Sequence, residues 1–464
     1  MIKRYNRRQF ISSVGGALGA AAGVSLIPLL ACTRGKENAR PNIIILLPDD
    51  LGWHDVGYHG SEINTPTIDR MAAQGVEFDQ FYVYPTCSPT RASLLTGRPP
   101  SRFGIFTPVG GPSARALPRD VVTLAGLLRR NGYDTAITGK WHLGEKPEVG
   151  PLQYGFRYSY GYFHGQIDPY THRYKFGNIT WHRNDEYIDE EGHATDLITR
   201  EAIKFITDIR DKQKPFFLYV PFSVPHYPLQ EEDKWVRPYK DSIDNESRRL
   251  FAASVTHMDD SIAQILAVLE KEKIAKNTLV IFISDNGGQK QWLSTEDKYG
   301  GRYAPNDRLG DNHPLRGWKA QVYEGGIRVP AIFYWPGKLK HQKVEQSLVV
   351  YDIYPTVAHL AGAEISPDLH IEGVDFWPVL SGKKLKERVL YWRTPGQLAV
   401  RKGAWKLVHH GKTPDEGSDE LYNLEIDPFE QRDVAGQYPR KVSELKSELR
   451  HQFSLDNSHR IDDL

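Results

Sequence analysis

Residues 43–47, in "PNIIILLPDD", form a continuous apolar run without polar alternation. That pattern belongs to a strand buried on both faces. Similar runs recur at residues 134–138, 215–222 ("PFFLYVPF"), 277–286 ("NTLVIFISDN") and 330–337 ("PAIFYWPG"). Helical spacing occupies residues 66–75, 121–131, 194–210, 248–273 and 351–361. Strands alternating with helices predict an α/β fold, a large mostly parallel sheet sandwiched by helices. Its sites should lie at the carboxyl ends of the strands. From about residue 388 the texture changes to short strand-like runs, "RVLYWRT", "QLAVRKG", "WKLVHHG" and "DELYNLEIDP". They predict a small antiparallel sheet, with an amphipathic helix over residues 439–453 packed on it. The expected organisation is a leader over 1–31, a linker over 32–40, a main domain over 41–387 and a C-terminal subdomain over 388–464.

Composition narrows the function. The net charge is +1, from 59 Lys and Arg against 58 Asp and Glu. No global field favours nucleic acid or an acidic membrane surface, so any polyanion must be held by a local cluster. Aromatics run to 11%, and such rings fill cores more often than they line sugar clefts. The N-terminus, "NRRQFISSVGGALGAAAGVSLIPLLAC", is basic, then apolar, then small. It reads as a targeting segment rather than structure. Arg7 and Arg8 resemble a twin-arginine export motif, and "LLAC" resembles a bacterial lipobox. Cys32 would then carry a lipid and become the mature N-terminus. The expected location is the periplasm or cell envelope, with the membrane engaged only through that lipid. The chain has two cysteines, so export would leave Cys87 without a partner, a flag for chemistry.

Two strand ends carry oxygen ligands. Asp49 and Asp50 follow the strand at 43–47, and Asp285 and Asn286 follow the strand near 278–283. Oxygen-only donors suit a hard divalent cation, Ca²⁺ or Mg²⁺, rather than zinc. The "DNGG" that begins at Asp285 supplies a sharp turn. Cys87 opens "CSPTRASLLTG", where Pro89 favours a first helical turn. A helix N-terminus there favours anions, and Arg91 lies one turn on. A thiol so placed is either a nucleophile or a buried structural cysteine.

"CSPTR" matches the Cys-x-Pro-Ser/Thr-Arg signature of the type I sulfatases, members of the alkaline phosphatase superfamily, and "SLLTGR" continues it. "PDDLGWHDVGYHG", "NTPTIDRMAAQGVEF", "GKWHLG", "VPHYP", "SDNGG", "LRGWKAQVYEGGIRVP" and "DIYPTV" follow in family order. The resemblance covers residues 41 to about 436. It implies that a maturase oxidises Cys87 to formylglycine, and that Asp49, Asp50, Asp285, Asn286 and the modified Cys87 hold a metal, Ca²⁺ ahead of Mg²⁺. It also implies that Arg91 offsets the charge of the formylglycine hydrate and that Lys140 contacts hydrate and sulfate. His142 would act as base, while His226 and Lys319 grip sulfate and protonate the leaving alcohol. Lys140 and His142, two apart, share a face if the segment is extended. By this resemblance one hydrate hydroxyl attacks sulfur. The second then loses its proton to His142, and the aldehyde re-forms as sulfate leaves.

Residues 155–188, "GFRYSYGYFHGQIDPYTHRYKFGNITWHRNDEYI", resemble the corresponding region of N-acetylgalactosamine-4-sulfatases and related glycan sulfatases. His164, Asp168, Tyr170, His172 and Arg183 are candidate sugar contacts there; a polar surface insertion is the plain alternative. Residues 289–313, rich in charge, Gly and Pro, are expected to form a pocket wall. The expected activity is removal of sulfate from a sulfated sugar or polysaccharide fragment. Its partners are the carbohydrate, the maturase and the twin-arginine export machinery, with no nucleic acid. The alternatives are a phosphoester or phosphonate hydrolase of the same superfamily and a non-catalytic glycan-binding lipoprotein.

Overall fold

The computed structural model describes residues 40–110, 116–293, 298–300 and 302–457. The leader, including Arg7, Arg8 and Cys32, lies outside them. Among the described residues no helix is long and apolar enough to cross a membrane.

The run at 43–47 becomes the strand Asn42–Leu47, with every residue buried. Its side chains alternate between two cores. Ile43, Ile45 and Leu47 face one hydrophobic cluster, and Ile44 and Leu46 face the other. A strand loaded on both faces must sit centrally, and this one pairs in parallel with Phe216–Pro221 on one side and Thr278–Ile283 on the other. Asp134–Lys140 and Tyr158–Tyr162 extend the parallel block. Across the ten-stranded sheet the order is Gln342–Val344, Val76–Phe78, Ala331–Tyr334, Thr278–Ile283, Asn42–Leu47, Phe216–Pro221, Asp134–Lys140, Tyr158–Tyr162, Trp181–Arg183 and Glu186–Tyr187. Ala331–Tyr334 runs antiparallel to its neighbours, so the mostly parallel sheet is mixed at its edges.

Helices Cys87–Thr96, Leu124–Arg130 and Ile353–Ala361 cover the first face, and Pro66–Gln74, Ala194–Lys204 and Glu246–Lys271 the second. The C-terminal strands Val389–Arg393, Gln397–Lys402, Trp405–His410 and Ser418–Asn423 form the small antiparallel sheet. One side of it, with Leu390, Trp392 and Val408, joins the main core. The other packs Tyr391, Leu398 and Leu407 on Leu445 and Leu449 of the helix Pro439–Ser454.

The segment 155–188 is not a surface insertion. It supplies three strands at one end of the main sheet.

Candidate active site

The acidic turns sit at the carboxyl ends of adjacent central strands. Asp49 is tied to the loop ahead of His226 by its N–H, which donates to the Val224 carbonyl at 3.1 Å. Asp50 has φ 72°, a left-handed conformation that a non-glycine residue adopts only when its surroundings hold it there. Its N–H donates to Asp285 Oδ1 at 3.2 Å, joining the two turns. The "DNGG" glycines are needed for space rather than for a turn: a Cβ on Gly287 would lie 1.8 Å from the Gly325 carbonyl oxygen.

Cys87 is the first residue of the helix Cys87–Thr96, as the motif predicts, and its free thiol is buried. Arg91, one turn on, has no exposed surface. Its Nε and Nη2 donate to Asp285 Oδ2 at 3.1 and 2.8 Å, and Nη1 donates to the Lys140 carbonyl at 3.0 Å. Lys140 ends its strand, and its Nζ donates to Asp49 Oδ2 at 2.5 Å. Lys319 Nζ lies 2.6 Å from Asp50 Oδ1. Its loop is fastened on both sides, by the Lys319 N–H to the Gly288 carbonyl and the Ala320 N–H to the Pro85 carbonyl. Three carboxylates, Asp49, Asp50 and Asp285, therefore face three cations, Arg91, Lys140 and Lys319.

The charges are not evenly matched. Burial and the Asp285 carboxylate push the Asp49 carboxyl up from its usual range, against the pull of the adjoining Lys140 and Arg91 cations. Burial also opposes the charge on Asp50, yet the Lys319 ammonium and the Asn286 hydrogen bond hold it down at about 2. Asp49 Oδ1 and Asn286 Oδ1 are buried with no hydrogen-bond partner among the described residues. Orphaned oxygens of this kind are costly unless a cation or water completes them. Asp49, Asp285 and the Cys87 sulfur approach within 4.8 Å of one another, as do Asp49, Asp50 and His226. The carboxylate and amide oxygens are donors a hard cation takes, so Asp49, Asp50, Asp285 and Asn286 fit a divalent ion, and residue 87 would join them only through an oxygen in place of its sulfur.

His142 departs from the extended geometry that would put it on one face with Lys140. Its φ is 57°, because Trp141 and His142 both donate backbone hydrogen bonds to the neighbouring segment, at the Tyr162 and Phe163 carbonyls. The ring still reaches the site. Nε2 lies 2.9 Å from the Val109 carbonyl and so carries the proton, leaving Nδ1 without a hydrogen-bond partner among the described residues. Burial and the Lys140 and Arg91 cations push its pKa far below the usual value, so the ring is neutral. His226 Nδ1 lies 2.5 Å from the Tyr227 carbonyl, and Nε2 lies 3.6 Å from Asp50 Oδ2. Burial, with Lys319 adding to it, keeps this ring neutral too.

Cys87, His142, His226 and Lys319 open onto a cleft of about 910 Å³. Its walls come from Phe106 to Gly110, Tyr174 and Lys175, Lys290 and Trp292, Trp318, and the Thr394–Pro395 turn of the small sheet. The segment starting at Gln289 forms part of one wall, as expected from its composition. The five candidate sugar contacts do not line this cleft. Asp168 Oδ2 accepts from Arg302 and Tyr303 at 3.1 and 2.9 Å, tying two loops together. His172 stacks on Trp181 and Tyr170 packs edge-on against His193. Arg183 pairs with Glu190 and Glu201. His164 contacts Thr180 and stacks behind Tyr174. These five side chains are engaged within the fold by hydrogen bonds, ion pairs and ring contacts. The wall residues Phe106, Lys175, Lys290 and Trp292 carried no motif that could have singled them out.

Residues 41–363 match the family described as Sulfatase, and residues 316–458 match the family described as N-sulphoglucosamine sulphohydrolase, C-terminal. With Cys87, the acidic turns and the cations meeting at the strand ends, the chain belongs to the sulfatase family and is a sulfuric ester hydrolase. It is 35% identical to N-acetylgalactosamine-6-sulfatase of Mus musculus, over 79% of this chain and 71% of that protein. Arylsulfatase J of Mus musculus is 31% identical, over 89% of this chain and 75% of that one. The solved structure of Ps i-CgsB in complex with k-i-k-neocarrahexaose superposes with a TM-score of 0.80 at 30% identity, covering 90% of this chain and 94% of that one.

Proposed function

We propose that this sulfatase removes sulfate from sulfated sugars or oligosaccharides, using residue 87, converted to formylglycine, and a divalent cation, Ca²⁺ ahead of Mg²⁺. The observation that carries the reading is the meeting of Cys87 with Asp49, Asp50, Asp285 and Asn286 on the floor of a cleft walled by aromatic and basic side chains. The orphaned oxygens of Asp49 and Asn286 support the cation. Burial pushes the Cys87 thiol up, which favours the protonated, poorly nucleophilic form. That supports a modified side chain over a bare thiolate. When bound, the cation would polarise the residue-87 nucleophile and a sulfate oxygen.

The chain's own groups then divide the work. Lys140 and Lys319 offer ammonium charge to the sulfate oxygens as negative charge develops. Lys319 Nζ is also the proton donor for the departing alcohol, with His226 beside it as a sulfate contact once the bound anion has drawn a proton onto Nε2. His142 Nδ1, neutral and unpartnered, takes the proton that lets sulfate leave. Arg91 is a positioning residue that holds Asp285 and the Lys140 backbone. Named relatives support the sugar substrate, one an N-acetylgalactosamine-6-sulfatase and one bound to k-i-k-neocarrahexaose. The leader extends the proposal to an exported enzyme, folded before twin-arginine export and lipid-anchored at Cys32 in the periplasm or envelope, with the maturase acting in the cytoplasm.

The test is sulfate release from a panel of defined sugar sulfates, with the protein co-expressed with a maturase and the mass at residue 87 verified. Release that disappears in Cys87→Ala is expected. Turnover of aryl sulfates with no sugar sulfate cleaved would rule out the sugar reading. Full activity from a host lacking any maturase would rule out formylglycine.

A further inference from the structure

Lys319 belongs to no helix or strand. Its ammonium group ends a flexible stem and is only as well placed as the turn that carries it. Loops of this kind move more than the elements they connect, so something outside the turn must fix it. Two backbone hydrogen bonds do so. The Lys319 N–H donates to the Gly288 carbonyl at 3.2 Å, and the Ala320 N–H donates to the Pro85 carbonyl at 2.7 Å, just ahead of Cys87. The Gly288 anchor is itself in a loop, two residues past Asn286 on the acidic turn.

Asn312 secures that anchor. Its side chain is buried. Oδ1 accepts from the Gly288 N–H at 2.8 Å, and Nδ2 donates to the Gly288 carbonyl at 3.0 Å. Nδ2 also donates to the Gly317 carbonyl at 3.1 Å, two residues ahead of Lys319. One edge of the amide therefore pairs with both backbone groups of Gly288, and its remaining N–H reaches the lysine turn. An acceptor and two donors on one planar group are what the arrangement needs. Gly317 has φ 91°, the left-handed bend that turns the chain toward Lys319. Asn312 does not line the cleft over Cys87, so it reaches the reaction only through the backbone it holds.

We propose that Asn312 is a positioning residue for Lys319. By clasping Gly288 and Gly317 it sets the lysine turn against the acidic turn and keeps Lys319 Nζ where it protonates the departing alcohol. The inference rests on the proton-donor role given to Lys319 above.

The acidity of the released alcohol separates this role from a structural one. A proton donor matters little to a nitrophenolate, which leaves readily as an anion, and most to an ordinary alcohol. The matured full-length enzyme, Lys319→Ala, Asn312→Ala and Asn312→Ser are assayed with saturating Ca²⁺, below their melting transitions. The substrates are aryl sulfates of graded phenol acidity and a sugar sulfate. In Lys319→Ala the loss of kcat on the poorest leaving group should exceed that on nitrophenyl sulfate by about 10²-fold. Asn312→Ala should show the same skew, at about tenfold or more, since a displaced catalytic group loses rate without leaving the site. Asn312→Ser returns one donor and should skew less; it carries the comparison if Asn312→Ala does not fold. With Lys319→Ala skewed, an even loss across the series in the Asn312 variants, or no loss, overturns the positioning role alone. An even loss in Lys319→Ala overturns the proton-donor reading itself.

Discussion

Lys140 Nζ lies 2.5 Å from Asp49 Oδ2, and neither side chain has any exposed surface. The pair joins two parallel strands that are not neighbours, since Phe216–Pro221 runs between them. Removing one partner of a buried ion pair leaves the other charge stranded, at a cost of about 3–5 kcal/mol. Lys140→Met should therefore lower the urea unfolding midpoint as well as activity. The expected fall in kcat is about 10²- to 10³-fold, the usual scale for one lost electrostatic contact to a developing charge. A variant of normal stability and near-normal kcat would remove Lys140 from the catalytic machinery.

The orphaned oxygens make the cation measurable without activity. A ligand that binds only the folded state at one hundred times its Kd stabilises it by about 2.7 kcal/mol. Chelated protein should melt at lower temperature, and Ca²⁺ should restore the transition more effectively than Mg²⁺. Asn286→Ala should blunt that Ca²⁺-dependent rise. Identical melting curves with chelator and with Ca²⁺ would argue against a metal at Asp49 and Asn286.

A separate cluster sets a pH dependence of stability. His257, buried in the helix Glu246–Lys271, holds Glu231 Oε2 at 2.8 Å and Asp196 Oδ1 at 3.1 Å. Burial disfavours its charge, but the two carboxylates win and push it up to about 9. A folded-state pKa above the unfolded one stabilises most at low pH. The contribution is complete below about 6.5 and is lost as pH rises through about 9. Its size is on the order of 2 kcal/mol once the half-exposed Asp196 is discounted. Wild type should exceed His257→Gln in stability by more at pH 6 than at pH 10. A constant gap across that range would show that the imidazolium is not what the site stabilises.

Gly139 has φ 133°, one residue before Lys140, and a Cβ there would meet the Pro221 carbonyl oxygen at 1.9 Å. It pairs in register with Gly161, φ 128°, on the next strand. Gly139→Ala should cost about 4 kcal/mol or more, the scale reserved for severe lesions. Gly382, φ 85° with open space around it, is the control, and Gly382→Ala should cost only about 1–2 kcal/mol of left-handed strain. Comparable unfolding midpoints for the two variants would contradict the close-approach account.

The sequence by itself determined the central block. Residues 43–47 can only be buried on both faces, and a strand so buried puts Asp49 and Asp50 at its carboxyl end. The same logic places Asp285 and Asn286, and the "CSPTR" signature places Cys87 and Arg91 one helical turn apart. These are local patterns, read within a few residues. Only the tertiary structure decided the rest. Trp181–Arg183 and Glu186–Tyr187 are too short to declare themselves and become strands through pairing with Tyr158–Tyr162. Asp168 looked free for a sugar until Arg302 and Tyr303, more than 130 positions away, came to claim it. Whether a polar side chain is consumed or available depends on which distant groups reach it, and sequence spacing carries no record of that.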